Sequence, residues 1–190
     1  MHPGDTVDTF SSPVIRSARL VLREYRPGDE ALALQVADSG EQEALPPGAP
    51  SEPGPLADWL RAGDRRPWRD GGPLHFMMLD RERNKIVGSI GAFHLDWEVR
   101  SAEVGYGVRS DERGKGVASE ALAAVARWML TDGGLQRAWL TANTDNLASV
   151  RVAEKAGFHR EGTLRRAGLE DDGLHDQAIF SLLDDEIAPN

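Results

Sequence analysis

Arg113-Gly114-Lys115-Gly116-Val117-Ala118 lies between a short apolar run ending at Val108 and a long amphipathic stretch from Gly116 to Leu130. Glycines between a strand and a helix N-terminus let the backbone come close to an anion. The first amides of such a helix point outward unpaired, with the positive end of the macrodipole behind them. The chemistry implied is the seating of a phosphate-bearing ligand on this turn. Arg113 and Lys115 either add charge to that seat or are solvated turn residues. An acidic turn, Glu170-Asp171-Asp172-Gly173, invites a calcium reading but lacks the ligand spacing of a calcium loop, so no metal is expected.

The elements that must position the glycine turn follow from periodicity. Arg19–Arg23 alternates apolar and charged residues as a half-buried strand does. Asp29 is placed to cap a helix through Ala31 to Val36. Ser39 to Pro55 holds five prolines and reads as a loop. Leu56–Ala62 predicts one or two helical turns with Trp59 and Leu60 inward. Arg61 to Gly72 is basic around Trp68: a solvated loop or the lip of a cleft. Leu74–Asp80, Lys85–Leu95 and Ser101–Val108 predict an antiparallel meander, with Gly105 and Gly107 interrupting its last strand. In the helix from Gly116, the apolar stripe of Val117, Ala121, Leu122, Val125, Trp128 and Met129 predicts a buried face. Thr131-Asp132-Gly133-Gly134 stops that helix. Arg137–Ala142 is a further strand, Asn146–Ala156 a helix closed by Gly157, and Phe158–Leu169 with Gln177–Leu183 a final hairpin. The order is β-α-α-β-β-β-α-β-α-β-β: one α/β (α+β) domain over 13–187, behind a loose tail, Met1 to Ser12.

Composition bounds the function. The 190 residues suit one domain, and the net charge of -9 makes nucleic acid a poor partner while tolerating a cationic substrate. No apolar run is long enough to span a membrane, and the N-terminus lacks the pattern of a secretory signal. With no cysteine, disulfides, thiolate metal sites and a cysteine nucleophile are excluded, and a cytoplasmic location is favoured.

Two motifs in this strand–helix context resemble those of the GNAT superfamily of N-acetyltransferases, and within it the RimJ/RimL-like branch. The first is Arg/Gln-x-x-Gly-x-Gly/Ala, present as Arg113 to Ala118 and preceded by Glu103-Val104-Gly105-Tyr106-Gly107-Val108. The second is present as Asn143, Asn146, Ser149, Val152, Lys155, Gly157 and Phe158. The opening R-L-V-L-R-E-Y-R-P-G-D and the closing hairpin with His175-Asp176 also fit, so the resemblance covers about Arg16 to Leu183. It implies a mixed, mostly antiparallel sheet with flanking helices and a splayed central strand pair, Ser101–Val108 and Arg137–Ala142. It implies acetyl-CoA, or another acyl-CoA, as donor. Val108, Arg113, Gly114, Lys115, Gly116, Val117, Ala118, Asn143, Asn146 and Ser149 are then the cofactor-binding candidates.

By the same resemblance, transfer goes directly to a primary amine: a protein N-terminus, a lysine or a small amine. A backbone amide near Val108 would polarise the thioester carbonyl, with the Tyr106 hydroxyl two residues away on the same face. Ser149, which shares a helix face with Asn146, would serve the leaving thiolate. Many relatives have a tyrosine where Glu154 stands. A branch member's proposed glutamate base falls at Gly168, so Glu103 is the preferred base here, with Glu170, His75 and His94 as lesser candidates. A desolvated ammonium that needs no base is the remaining alternative. The rival readings are a succinyl-type donor paired by Arg61, Arg65, Arg66 or Arg69, and a catalytically silent CoA-binding module. A homodimer through the outer strands of the last hairpin is open.

Overall fold

The structure, a computed structural model, describes residues 13–25, 28–38, 44–45, 49–50, 52–62, 74–170 and 172–188. The expected tail, Pro27, most of the proline-rich loop, Asp171, and the basic stretch with Arg65, Arg66, Trp68 and Arg69 lie outside them, as do the Leu60 and Arg61 side chains.

Alternation along the chain becomes one eight-stranded sheet. Its strands are β1 (Ile15–Arg16), β2 (Leu20–Arg23), β3 (Leu74–Asp80), β4 (Lys85–Asp96), β5 (Ser101–Val108), β6 (Arg137–Asn143), β7 (His159–Glu170) and β8 (Gly173–Leu183). They lie in the order β1-β2-β3-β4-β5-β6-β8-β7, antiparallel except for β5 with β6. The first strand, too short for a two-residue period to register, was not legible in the sequence. β8 begins four residues before Gln177, because Gly173, at φ +130, closes a tight hairpin. That strand is bonded on both sides, so only β7 of the final hairpin offers a free edge; the idea that both outer strands could pair across a dimer is corrected.

Helices α1 (Glu30–Asp38), α2 (Pro53–Ala62), α3 (Val117–Leu130) and α4 (Leu147–Lys155) cover the two faces. The second starts at Pro53 rather than Leu56, since proline is suited to the first helical position. Asp29 gives its carbonyl to the first turn of α1, while its carboxylate takes both arms of Arg23 at 2.7 and 2.8 Å. On one face α3 buries Ala121, Leu122, Val125, Ala126 and Met129 against Phe76, Val104, Leu140 and Phe180. Leu122 and Met129 are fully buried, each worth roughly 2 kcal/mol in removed apolar surface. Trp128 packs edge-on to Phe76 at 6.4 Å. On the other face Ala33, Val36 and Leu56 meet Met77 and Ile86 in a second, smaller core, with Trp59 packed against it. The α3/α4 face thus holds the main core, and the α1/α2 face the smaller one.

Candidate functional site

The gap between two strands is the centre of the site. β5 and β6 pair at only three positions, Ser101 with Arg137, Ala102 with Ala138 and Glu103 with Trp139, and then part. From Glu103 onward β5 stays registered on β4, out to Val108 opposite Gly88. Gly105 is explained by that contact, since a Cβ there would come within 3.0 Å of the Phe93 ring. The Arg109 amide donates to the Val87 carbonyl on β4, at 3.0 Å. Because bonding direction alternates along an antiparallel strand, the Val108 amide turns the other way, into the gap. The Val108 carbonyl, on that same side, accepts from Arg113 Nε at 3.1 Å.

The glycine turn closes one end of the gap. Gly114 and Gly116 adopt φ of +75° and +80°, and a Cβ at Gly114 would meet nothing within 4 Å, so conformation rather than crowding requires glycine there. Gly116 is the N-cap of α3, and the first bond into the helix is from the Glu120 amide to the Gly116 carbonyl. The amides of Val117, Ala118 and Ser119 therefore have no helical carbonyl behind them. The basic side chains are not loose. Lys115 donates from Nζ to Glu112 at 3.2 Å, and its carbonyl accepts from Arg19 Nη1 at 3.0 Å. Glu112 is 1% exposed and also takes both arms of Arg83 and the Lys85 ammonium, which holds its carboxyl down at about 2.

On the α3/α4 face, Tyr106 and Ser149 come together. Asn146 caps α4, its Oδ1 accepting from the Ser149 amide at 3.1 Å. Tyr106 projects from β5 on the side of Val104 and Val108; its hydroxyl is buried without a hydrogen-bond partner. Burial raises the phenol pKa, and the neighbouring Ser149 hydroxyl opposes that rise, although the two do not meet hydrogen-bonding geometry.

The opposite face carries a different set. Glu103 Oε2 lies 2.7 Å from His94 Nδ1, and its other oxygen accepts from Thr141 at 3.5 Å. His94 sits at a register shift between Phe93 and Asp96, at φ +47°, and its ring stacks on Trp139 at 6.3 Å. Asn143 shares this face by strand alternation with Thr141, and donates to Glu170 at 2.8 Å. The two asparagines of the second motif are therefore separated: Asn146 belongs to the Ser149 side, Asn143 to the Glu103 side. His75 lies here too, 5.3 Å from the Phe93 ring; burial lowers its pKa, and its Nδ1 has no partner.

Residues 19–159 match the family model described as an acetyltransferase (GNAT) domain. The chain belongs to the GNAT acetyltransferase family. It is 32% identical to the uncharacterized N-acetyltransferase YoaA of Bacillus subtilis over 54% of its length and 58% of the relative's. To the ribosomal-protein-serine acetyltransferase of Escherichia coli it is 28% identical over 57% of its length and 61% of the relative's. The matched stretch thus spans about three fifths of each of these two relatives. Among solved structures, Mycobacterium smegmatis RimJ in complex with CoA-disulfide superposes with a TM-score of 0.76, covering 96% of this chain and 92% of that one at 24% identity, which is a likeness of fold. The family match ends at His159, while the structural likeness extends through most of the β7–β8 hairpin.

In this GNAT domain a Cβ at Gly168 would come within 2.7 Å of both Asn143 Oδ1 and Gln177 Nε2. Glu170, two residues further on, accepts from Asn143 Nδ2 at 2.8 Å. Glu154 is exposed on α4. Glu112, Arg19 and Glu120 were missed from sequence. Glu112 looks like one member of a charged turn, and its burial depends on Arg83 and Lys85, which are far away in the chain. Among the described residues no group of three or more His, Asp or Glu is placed to hold a metal ion. No helix there is long and apolar enough to cross a membrane.

Proposed function

We propose that this chain transfers an acetyl group from acetyl-CoA to a primary amine by direct attack, as a RimJ/RimL-like N-acetyltransferase of the cytoplasm. The observation that carries the reading is the parting of β5 and β6 after three pairs, next to a turn with two left-handed glycines. The residues fit a coenzyme A thioester: unpaired first-turn amides for the pyrophosphate, an outward Val108 amide in the gap, and a buried, unpartnered Tyr106 hydroxyl along it. The bound thioester supplies an activated acyl group and a sulfur leaving group.

The chain's residues supply the rest. Arg113 to Ala118 bind the diphosphate through backbone amides, helped by the α3 dipole. The Val108 amide donates to the acyl oxygen as charge grows on it. Ser149, with the Tyr106 hydroxyl beside it, donates to the departing sulfur. Glu103 accepts a proton from the acceptor's ammonium through water, which frees the neutral amine to attack, with His94 fixing its carboxylate. The amine enters from the Glu103 face, whose carboxylates Glu103 and Glu170 suit a cationic acceptor. A protein N-terminus, a lysine and a small amine all meet that requirement. The likeness to the ribosomal-protein-serine acetyltransferase of Escherichia coli favours a protein acceptor.

The test is release of free thiol from acetyl-CoA and from succinyl-CoA across an amine panel that includes ribosomal proteins and small amines. Faster release from acetyl-CoA is expected. A preference for succinyl-CoA would replace the donor. Coenzyme A binding with no release for any amine would make the chain a binding module.

A further inference from the structure

Lys115 stands between the two left-handed glycines and is held at both ends, by its ammonium and by its carbonyl. Its ammonium is taken by Glu112, which lies three residues back and is buried beneath the Arg83 fork, at 2.6 and 3.0 Å, and Lys85 at 3.1 Å. Its carbonyl is taken by Arg19 Nη1 at 3.0 Å. Arg19 is itself locked, donating from Nε to Glu120 Oε2 at 2.7 Å and from its backbone amide to Oε1 at 2.8 Å, where the Ser17 hydroxyl also donates. Glu112 belongs to the same β5–α3 connection as Lys115 but is itself fixed by Arg83 and Lys85 from the β3–β4 hairpin, and Arg19 comes from the β1–β2 turn.

Glycine loses more backbone freedom on ordering than any other residue, so a turn with two of them is floppy unless its neighbours fix it. Amides aimed at an anion bind it well only when they are aimed beforehand. We infer that Glu112 and Arg19 are positioning residues for the pyrophosphate of the donor: they touch no part of it, and they set the amides of 113–118 that do. This rests on the proposed reading of that turn as the pyrophosphate seat. It also means that the Lys115 ammonium is committed to Glu112, and that the backbone, rather than the lysine, supplies the recognition.

The test compares two donors, acetyl-CoA and S-acetylpantetheine, which keeps the thioester and lacks the pyrophosphate. The quantity read is the ratio of their kcat/KM values. In Glu112→Gln and in Arg19→Lys the ratio is expected to fall about tenfold, on the scale of one lost charge-assisted hydrogen bond. Lysine keeps a charge near Glu120 but lacks the fork that also reaches the Lys115 carbonyl. Its site is half exposed, so this variant carries the test if Glu112→Gln does not fold. A loss shared equally by both donors, or an unchanged ratio, would overturn the inference. A wild-type enzyme that does not prefer acetyl-CoA would instead remove the pyrophosphate seat itself, and the inference with it.

Discussion

The Tyr106 hydroxyl is buried beside Ser149 with no partner to bond. An unsatisfied buried hydroxyl costs a fold about 1–3 kcal/mol, so a tyrosine kept there for packing alone would be better as phenylalanine. Tyr106→Phe is therefore expected to raise the melting temperature while lowering kcat, a split that thermal unfolding and steady-state kinetics would read together. A variant that gains stability and keeps full activity would make the hydroxyl a packing accident. Ser149→Ala is expected to lower kcat by roughly a hundredfold, the usual reach of a positioned acid, with little change in binding of acetyl-CoA. Binding by calorimetry separates that outcome from a collapse of α4, whose cap on the Ser149 backbone amide comes from Asn146 and survives the substitution.

At the scale of elements, the glycine turn and the strand gap depend on backbone angles. Gly116→Ala places a Cβ at φ +80° on the N-cap of α3, at a cost of about 1–2 kcal/mol. The residue can relieve that strain only by turning the first amides. Weaker coenzyme A binding together with a lower melting temperature is expected, and either change without the other would contradict a shared cause. Gly88→Ala is the harsher substitution, because a Cβ there would strike the Gly107 backbone carbonyl on β5, which cannot swing aside as a side chain can. It is expected to loosen β4 from β5 and abolish activity, with faster amide exchange along both strands.

Much of this architecture was legible in sequence. β3 and β5 lie where the apolar pattern predicts strands: β5 buries Ala102, Val104 and Val108 on one face, while β3 is an apolar run buried on both, Met77 and Met78 alike. α3 was legible for the same reason. The motifs Arg113–Ala118 and Asn146–Phe158 pointed to the gap through resemblance. The faces of the sheet were harder to foresee. Asn143 and Asn146 look like one motif in the chain, but a strand end and a helix cap turn their side chains apart. His94 was visible as one histidine among five. The shift that leaves it at φ +47° beside Glu103 is a tertiary event that no local pattern encodes.

At the scale of the whole molecule, the Glu112 cluster is a stability device as well as a support for the turn. Its carboxyl titrates at about 2 in the fold, against 4.5 for an ordinary glutamate. The stabilisation is thus complete above about pH 5 and is lost as the pH falls through 4.5 towards 2. Glu112→Gln is expected to unfold with a shallower pH dependence across that window, seen by circular dichroism. An unchanged acid transition would show that other carboxylates carry it, Glu161 beside Arg137 being the first to examine.

The central claim is direct acetyl transfer across the β5–β6 gap. The measurement that tests it most directly is a single turnover with labelled acetyl-CoA, with and without an amine acceptor, following free thiol and label on the protein at once. The account predicts thiol release only when the amine is present, with the label on the amine and none retained by the protein. Label on the protein without an acceptor, or bound acetyl-CoA that releases no thiol with any amine, would contradict it.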